Sequence, residues 1–413
     1  MTPRRVVVTG LGIICALGNS VDEFWDALVA GRCGIRPLAG IGGELRFKNG
    51  AQVQGFEDLN LFERRDRDLL DRFSQLLVAA ARQAVSASGL VWDDELRNTT
   101  AVVTGSCLGG LATQDQAYAD LARKSRIEPL TIPRVMANAG ASHVSMELGL
   151  GGPTFTLSTA CSSSAHAIGL AFWMLRQGTV EVALAGGSET PFTYPNLKAW
   201  ESLRVVAPEV CRPFSRDRNG LVLGEGGAVV VLEPLERALA RGAPIVAEVV
   251  GCGMSADAHH LTSPSVAGAS RALRSCLADA GLRPDEVGYI NAHGTGTQAN
   301  DAMEASAIRL VFGDEADRLA VSSTKSIHGH ALGAAGAIEC VATALTLRHG
   351  IAPPTLGYTT PDPKCQLDVV PNEARRVDSR NALSNSFAFG GLNVVLALRR
   401  WEGESGEPGA SSS

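Results

Sequence analysis

The chain has 413 residues, 45% hydrophobic and 19% charged, with a formal net charge of -6. That balance excludes the basic stripe on which nucleic-acid binders rely, and the length allows one large core or two closely packed domains. No apolar run reaches the roughly 18 residues of a membrane-spanning helix, so no membrane role is expected. The N-terminus, MTPRRVVVTGLG, runs straight into a Gly-punctuated strand and lacks the apolar segment of a signal peptide.

Nine cysteines, at positions 15, 33, 107, 161, 211, 252, 276, 340 and 365, form no CxxC pair and no zinc-ligand spacing with the histidines. Reduced thiols, a cytoplasmic setting and no catalytic metal are therefore expected.

In chain order, β-branched runs alternate with helical patterns, as in an α/β protein with a buried sheet. Strands are predicted at Arg5–Thr9, Ala101–Thr104, Val180–Gly186, Gly227–Leu232, Ile245–Val250, Val287–Asn291, Ala320–Ser323 and Val394–Leu398. Helices are predicted at Leu69–Ser88, Ser163–Gln177, Ala267–Ala280, Asp301–Phe312 and Gly333–Arg348. The two halves rhyme. VVVTGLG at 6–12 is echoed by AEVVGCG at 247–253, AVVTGSCLGG at 101–110 by YINAHGTGT at 289–297, and Thr159–Gly178 by Ser323–Gly350. Such repetition suggests duplication of one unit, with an N-terminal half at 1–244 and a C-terminal half at 245–401. The Gly/Ser/Glu-rich tail, 402–413, is expected to be disordered.

Four blocks carry chemistry. In TACSSS, 159–164, Cys161 lies between a strand-like segment and a helix start, where free N–H groups and the helix dipole favour a thiolate. A lowered thiol pKa is expected there, although a lone cysteine, taken by itself, is far more often a buried structural one. NAHGTGT at 291–297 and STKSIHGH at 323–330 each set an imidazole among small residues, His293 and His330, with Lys325 five positions before the second. Two neutral imidazoles can donate hydrogen bonds to a developing oxyanion. A His-Gly-His run can also bind metal, but no carboxylate or cysteine stands at ligand spacing. LSNSFAFGGLN at 383–393 brackets Phe387 and Phe389 with small residues; it reads as a mobile aromatic gate or as a bulge with core aromatics.

In their order, TACSSS, RPFSRDRNGLVLGEGG (212–227), NAHGTGT, STKSIHGHALGAAG (323–336) and NSFAFGG (385–391) make the chain resemble the elongating β-ketoacyl-acyl-carrier-protein synthases. Synthase II and the ketosynthase subunits of type II polyketide systems are the nearest kinds, and the likeness spans roughly residues 4–400. It implies a thiolase-like fold, with duplicated α/β halves layered α-β-α-β-α. It also implies decarboxylative Claisen condensation of an acyl-enzyme with malonyl-acyl carrier protein.

By resemblance, Cys161 is the nucleophile, His293 and His330 promote decarboxylation, and Lys325 supports His330. The N–H groups of Cys161 and Phe389 form the oxyanion hole, with the Phe389 ring as gate. Thr262, Ser263, Thr295, Thr297 and Phe387 contact substrate, the four hydroxyls holding pantetheine. Asp301, Glu304 and Glu339 form a buried network around the lysine. No cofactor beyond the carrier's phosphopantetheine is implied, and the partners are an acyl carrier protein and a second subunit, identical or a chain-length factor. Some relatives hold a structural monovalent cation near Asn291, Glu339, Ser384 and Asn385.

Several departures favour a specialised polyketide-like or signalling-lipid role over housekeeping synthesis. Ala388 and Leu392 replace Gly and Thr in the gate, Leu203–Cys211 is short, His259 replaces an aromatic residue, and acids interrupt the arginines of Glu63–Arg72. A thiolase would need a second cysteine in the C-terminal loop. An initiating synthase would have Asn in place of His330, and a non-catalytic chain-length subunit would lack Cys161.

Overall fold

The computed structural model describes residues 3–403. Its main sheet has ten strands, labelled here β1 (Val6–Cys15), β2 (Thr100–Gly105), β3 (Thr154–Leu157), β4 (Val182–Glu189), β5 (Gly226–Pro234), β6 (Ala247–Ala256), β7 (Val287–Asn291), β8 (Ala320–Ser322), β9 (Asn381–Ala388) and β10 (Leu392–Arg400). The main helices are α1 (Arg72–Ser88), α2 (Leu111–Lys124), α3 (Ser163–Arg176), α4 (Val266–Ala280), α5 (Gln298–Phe312) and α6 (Ala335–His349).

Outward from the centre, one half of the sheet runs β1-β5-β4-β2-β3 and the other β6-β10-β9-β7-β8. Each half is its first strand, then its fifth, fourth, second and third, so the rhyming segments occupy equivalent places. In each half the second strand pairs in parallel with the third and fourth, and the fifth is antiparallel to its neighbours. The halves join where Val6, Val7 and Val8 pair with Val249, Glu248 and Ala247.

Helices α3 and α6 lie between the halves and touch strands of both, whereas α1 covers one outer face and α4 and α5 the other. This is the expected five-layer α-β-α-β-α order. The central helices are built of small and apolar residues because they are covered all round; every residue of α6 from Ala335 to Leu347 is buried. The glycines of the rhyming strands have a packing cause. A Cβ at Gly10 or Gly12 would strike the backbone of α1, and one at Gly253 the backbone of α4.

Three sequence expectations change. Residues 383–393 are not a loop: β9 is buried throughout, and only Phe389–Gly391 turns the chain into β10. Burial on both faces erases the alternation that would mark a strand. Second, α1 starts later than predicted because Asp71 caps it, accepting the Phe73 N–H at 3.1 Å. Third, α2 was not predicted; only Thr113 and Ala117 are buried in it, too few for an apolar stripe. Of the tail, 404–413 lies outside the described residues.

Candidate active site

The parallel strands deliver their C-terminal ends to one place, the usual location of α/β sites. The chain leaves β3 through an elbow at Ala160, whose φ is +50, and enters α3 with Cys161 at the bend. The neighbouring serines hold this elbow. The Ser162 hydroxyl has two carbonyl acceptors for its one proton, Thr159 O at 2.8 Å and Leu392 O at 3.0 Å. The Ser163 hydroxyl donates to Ala160 O at 2.6 Å, and the Ser164 hydroxyl accepts the Ala337 N–H of α6 at 2.9 Å.

After β7, Glu304 of α5 accepts the N–H groups of His293 and Gly294, each at 2.8 Å, and the Asn385 side-chain amide at 3.0 Å. After β8, the His330 N–H donates to Val222 O at 2.7 Å. The His293 and His330 rings meet edge to face with centroids 5.4 Å apart, and Phe387 from β9 approaches His293 at 6.2 Å. Burial, reinforced by the Lys325 charge, pushes both imidazoles well below the ordinary histidine range, so both are neutral.

Fully buried Lys325 pairs with Glu339, and its ammonium donates to His293 Nδ1 at 3.3 Å. With Nδ1 an acceptor, His293 keeps its proton on Nε2. The lysine's imidazole partner is therefore His293, not His330 as expected. Burial also pushes the Glu339 carboxyl up to about 7, with Lys325 pulling against it.

The expected three-acid cage around the lysine divides. Only Glu339 touches Lys325; Glu304 clamps the His293 loop, and Asp301 accepts the N–H groups of Phe214 at 2.8 Å and Gly296 at 3.2 Å. Beside the Lys325–Glu339 pair, Asn291 Oδ1, Glu339 Oε2, Ser384 Oγ and Asn385 Oδ1 are buried with no hydrogen-bond partner among the described residues. Asn291 and Ser384 face each other across β7 and β9. An all-oxygen set with one carboxylate suits a hard monovalent cation, so these residues fit the ion that the resemblance implies.

Cys161, His293, His330, Phe387 and Phe389 line one cleft of about 100 Å³, together with Thr262, Ser263, Thr295 and Thr297. Thr295 and Thr297 hydroxyls lie 3.0 Å apart, and Thr297 also caps α5, so it has a structural task besides. The Thr262 and Ser263 N–H groups both donate to His260 Nδ1 at 3.1 Å.

The gate turn needs no glycine at 388. Ala388 is extended, at φ -109, and the positive φ values fall on Gly390 and Gly391. Residue 388 is thus free to carry a Cβ in this conformation.

The Cys161 pKa departs from expectation. The Lys325 charge and the N–H groups of Phe389 and Cys161 lower it, but burial outweighs them and lifts the thiol to about 11. The helix-terminus argument omits that the site excludes water.

Sequence reasoning missed Glu189 and Trp200. Glu189, at the end of β4, accepts the N–H groups of Cys107 at 2.7 Å, Leu108 at 3.1 Å and Gly333 at 3.2 Å, and the Ser106 hydroxyl at 2.9 Å. It ties the turn after β2 to the approach of α6. A lone acid closing the apolar strand VALAGGSE was the only available signal. Trp200 lines the cleft and has no motif around it.

Among known proteins, the β-ketoacyl synthase N-terminal domain matches residues 3–238 and the C-terminal domain residues 246–359. The chain is 46% identical to nodulation protein E of Rhizobium sp. (strain N33), covering 96% of this chain and 99% of that protein. It is 40% identical to 3-oxoacyl-[acyl-carrier-protein] synthase 2 of Synechocystis sp. (strain ATCC 27184 / PCC 6803 / Kazusa), over 97% and 99%. The solved ishigamide ketosynthase/chain length factor superposes with a TM-score of 0.92 at 38% identity, over 97% of this chain and 100% of that one. A type II PKS acyl-carrier protein in complex with its ketosynthase, AntDE:AntF, gives 0.89 at 30%, again over 97% and 100%. The chain belongs to the β-ketoacyl synthase family and is a condensing acyltransferase, a ketosynthase.

Proposed function

We propose that this ketosynthase elongates acyl chains in a specialised, type II polyketide-like pathway. On this reading Cys161 is the acyl acceptor and His293 and His330 are the decarboxylating pair. The observation that carries it is the convergence of one cysteine and two neutral imidazoles in a single cleft beneath Phe389.

In acyl transfer the Cys161 sulfur attacks the thioester carbonyl carbon, and an imidazole takes the thiol proton. The N–H groups of Cys161 and Phe389 receive the oxyanion. The carrier's pantetheine sulfur leaves and recovers the proton. Malonyl thioester then enters, its bond to the carboxylate breaks, and carbon dioxide departs. His293 and His330 donate to the resulting enolate oxygen. The enolate carbon attacks the acyl carbonyl, and Cys161 is expelled as the β-ketoacyl carrier forms. Decarboxylation creates the carbanion in place, so no strong base and no cofactor are needed.

The greater identity to nodulation protein E than to synthase 2 supports the specialised reading. The solved relatives, one with its acyl-carrier protein and one named with a chain length factor, support those two partners here. At one end of the sheet β3 leaves an open edge with half-exposed Phe155 and Leu157, a place for a second copy or a chain-length subunit. Nine unpaired cysteines suit a reducing, cytoplasmic setting. Among the described residues no helix is long and apolar enough to cross a membrane.

Incubation with an acylated carrier protein followed by peptide mapping tests the assignment. The adduct is expected on Cys161; an adduct on Cys107 or Cys340 overturns it.

A further inference from the structure

We propose that Trp200 is a positioning residue that latches the Phe389 gate, setting how often the Cys161 thiol is uncovered. The proposal rests on the reading of Phe389 as gate.

Trp200 lies near the end of the helix Tyr194–Ser202 and lines the cleft that His260, Leu261 and Pro264 also line. Its indole stacks on the Phe389 ring, with centroids 6.1 Å apart and planes inclined by 19°. It also packs into the apolar cluster around Cys161, with Leu197, Leu221 and Leu223.

The gate's backbone is held by other means. Gly390 N–H donates to Leu261 O at 2.7 Å, and Asp257 N–H donates to Gly391 O at 2.8 Å. The Phe389 ring can therefore swing by side-chain rotation with those bonds intact, and the aromatic stack is what such a swing breaks. Offset aromatic pairs contribute enough beyond area burial to change an opening equilibrium by about 2- to 12-fold. Among the described residues the Trp200 indole has no hydrogen-bond partner that would explain so large a ring at this place.

The test is the rate at which a small alkylating agent, iodoacetamide, modifies Cys161 in the whole protein. Four variants are compared, Trp200→Leu, Trp200→Phe, Phe389→Ala and the double variant Trp200→Leu/Phe389→Ala. Leu keeps apolar bulk without a ring, and Phe keeps a ring. Trp200→Leu is expected to react about 2- to 12-fold faster than wild type, while Trp200→Phe keeps the slow rate. Phe389→Ala is expected to react faster still, and adding Trp200→Leu to it should change nothing more, since the latch acts through the ring.

A wild-type rate in Trp200→Leu, or equal acceleration by Leu and Phe, means that Trp200 only fills space and overturns the latch. So does a Trp200→Leu effect that persists without the Phe389 ring. An unchanged rate in Phe389→Ala removes the gate itself, and the proposal falls with it.

Discussion

Cys161 holds its proton to about pH 11, and the imidazoles beside it stay neutral, because water is kept from all three. Alkylation of the free enzyme should therefore still be rising through pH 9, by about tenfold per unit as the thiolate fraction grows. A plateau near pH 8 would show an activated resting thiolate instead. Lys325→Ala should abolish condensation while the protein still folds. Leaving a buried carboxylate unpaired costs about 3–5 kcal/mol, but Glu339 can escape that cost by taking a proton. Without the lysine its folded pKa rises above the present value of about 7. A carboxyl held higher in the folded state than in the unfolded loses stability as pH climbs toward the folded value, by about 1.4 kcal/mol per unit. The melting gap between Lys325→Ala and wild type is thus expected to be small at pH 6 and wider at pH 8; a constant gap contradicts the pairing. At this scale the sequence revealed which residues gather, since their blocks stand in a specific order. It did not reveal the direction of the thiol pKa or the lysine's choice of His293, because both depend on burial and packing.

Carrier docking is a question for the secondary elements. The enzyme is acidic overall, so an acidic carrier needs a local basic patch within about 8–10 Å. Arg64, Arg65 and Arg67 are exposed in one short helix, and Arg123, Lys124 and Arg126 are exposed at and beyond the end of α2. One groove is lined by Arg67 of the first segment together with Gln116 of α2 and with Glu128, Leu130 and Arg134, which follow the second segment in the chain. Acids interrupt the first group, so the second should dominate. Reversing charge at Lys124 and Arg126 should slow acyl transfer from the carrier by roughly tenfold or more, and transfer from a free pantetheine thioester hardly at all. Equal slowing with both donors would assign these residues to the site or the fold. The helices α3, α4 and α6 were legible in the sequence within a few residues. Exposed α2 lacked an apolar stripe, and β9 was hidden by burial on both faces and by the glycines that follow it.

Over the whole molecule, duplication explains why one cleft collects residues from both halves. Cys161 follows the third strand of one half, Lys325 and His330 follow the third strand of the other, and His293 follows the second. The rhyme of segments was visible in the sequence, but the edge-to-edge joining of β1 with β6 was not, because pairing between distant strands leaves no local trace. The central claim is that these residues make one carbon–carbon bond by losing one carbon dioxide. It is tested by presenting acyl-loaded enzyme with malonyl-acyl carrier protein, then measuring carbon dioxide and β-ketoacyl carrier together. Wild type should yield the two in equal amounts, and Cys161→Ala should yield no β-ketoacyl carrier. Condensation that survives Cys161→Ala, or a wild-type enzyme that makes neither product, would contradict the account.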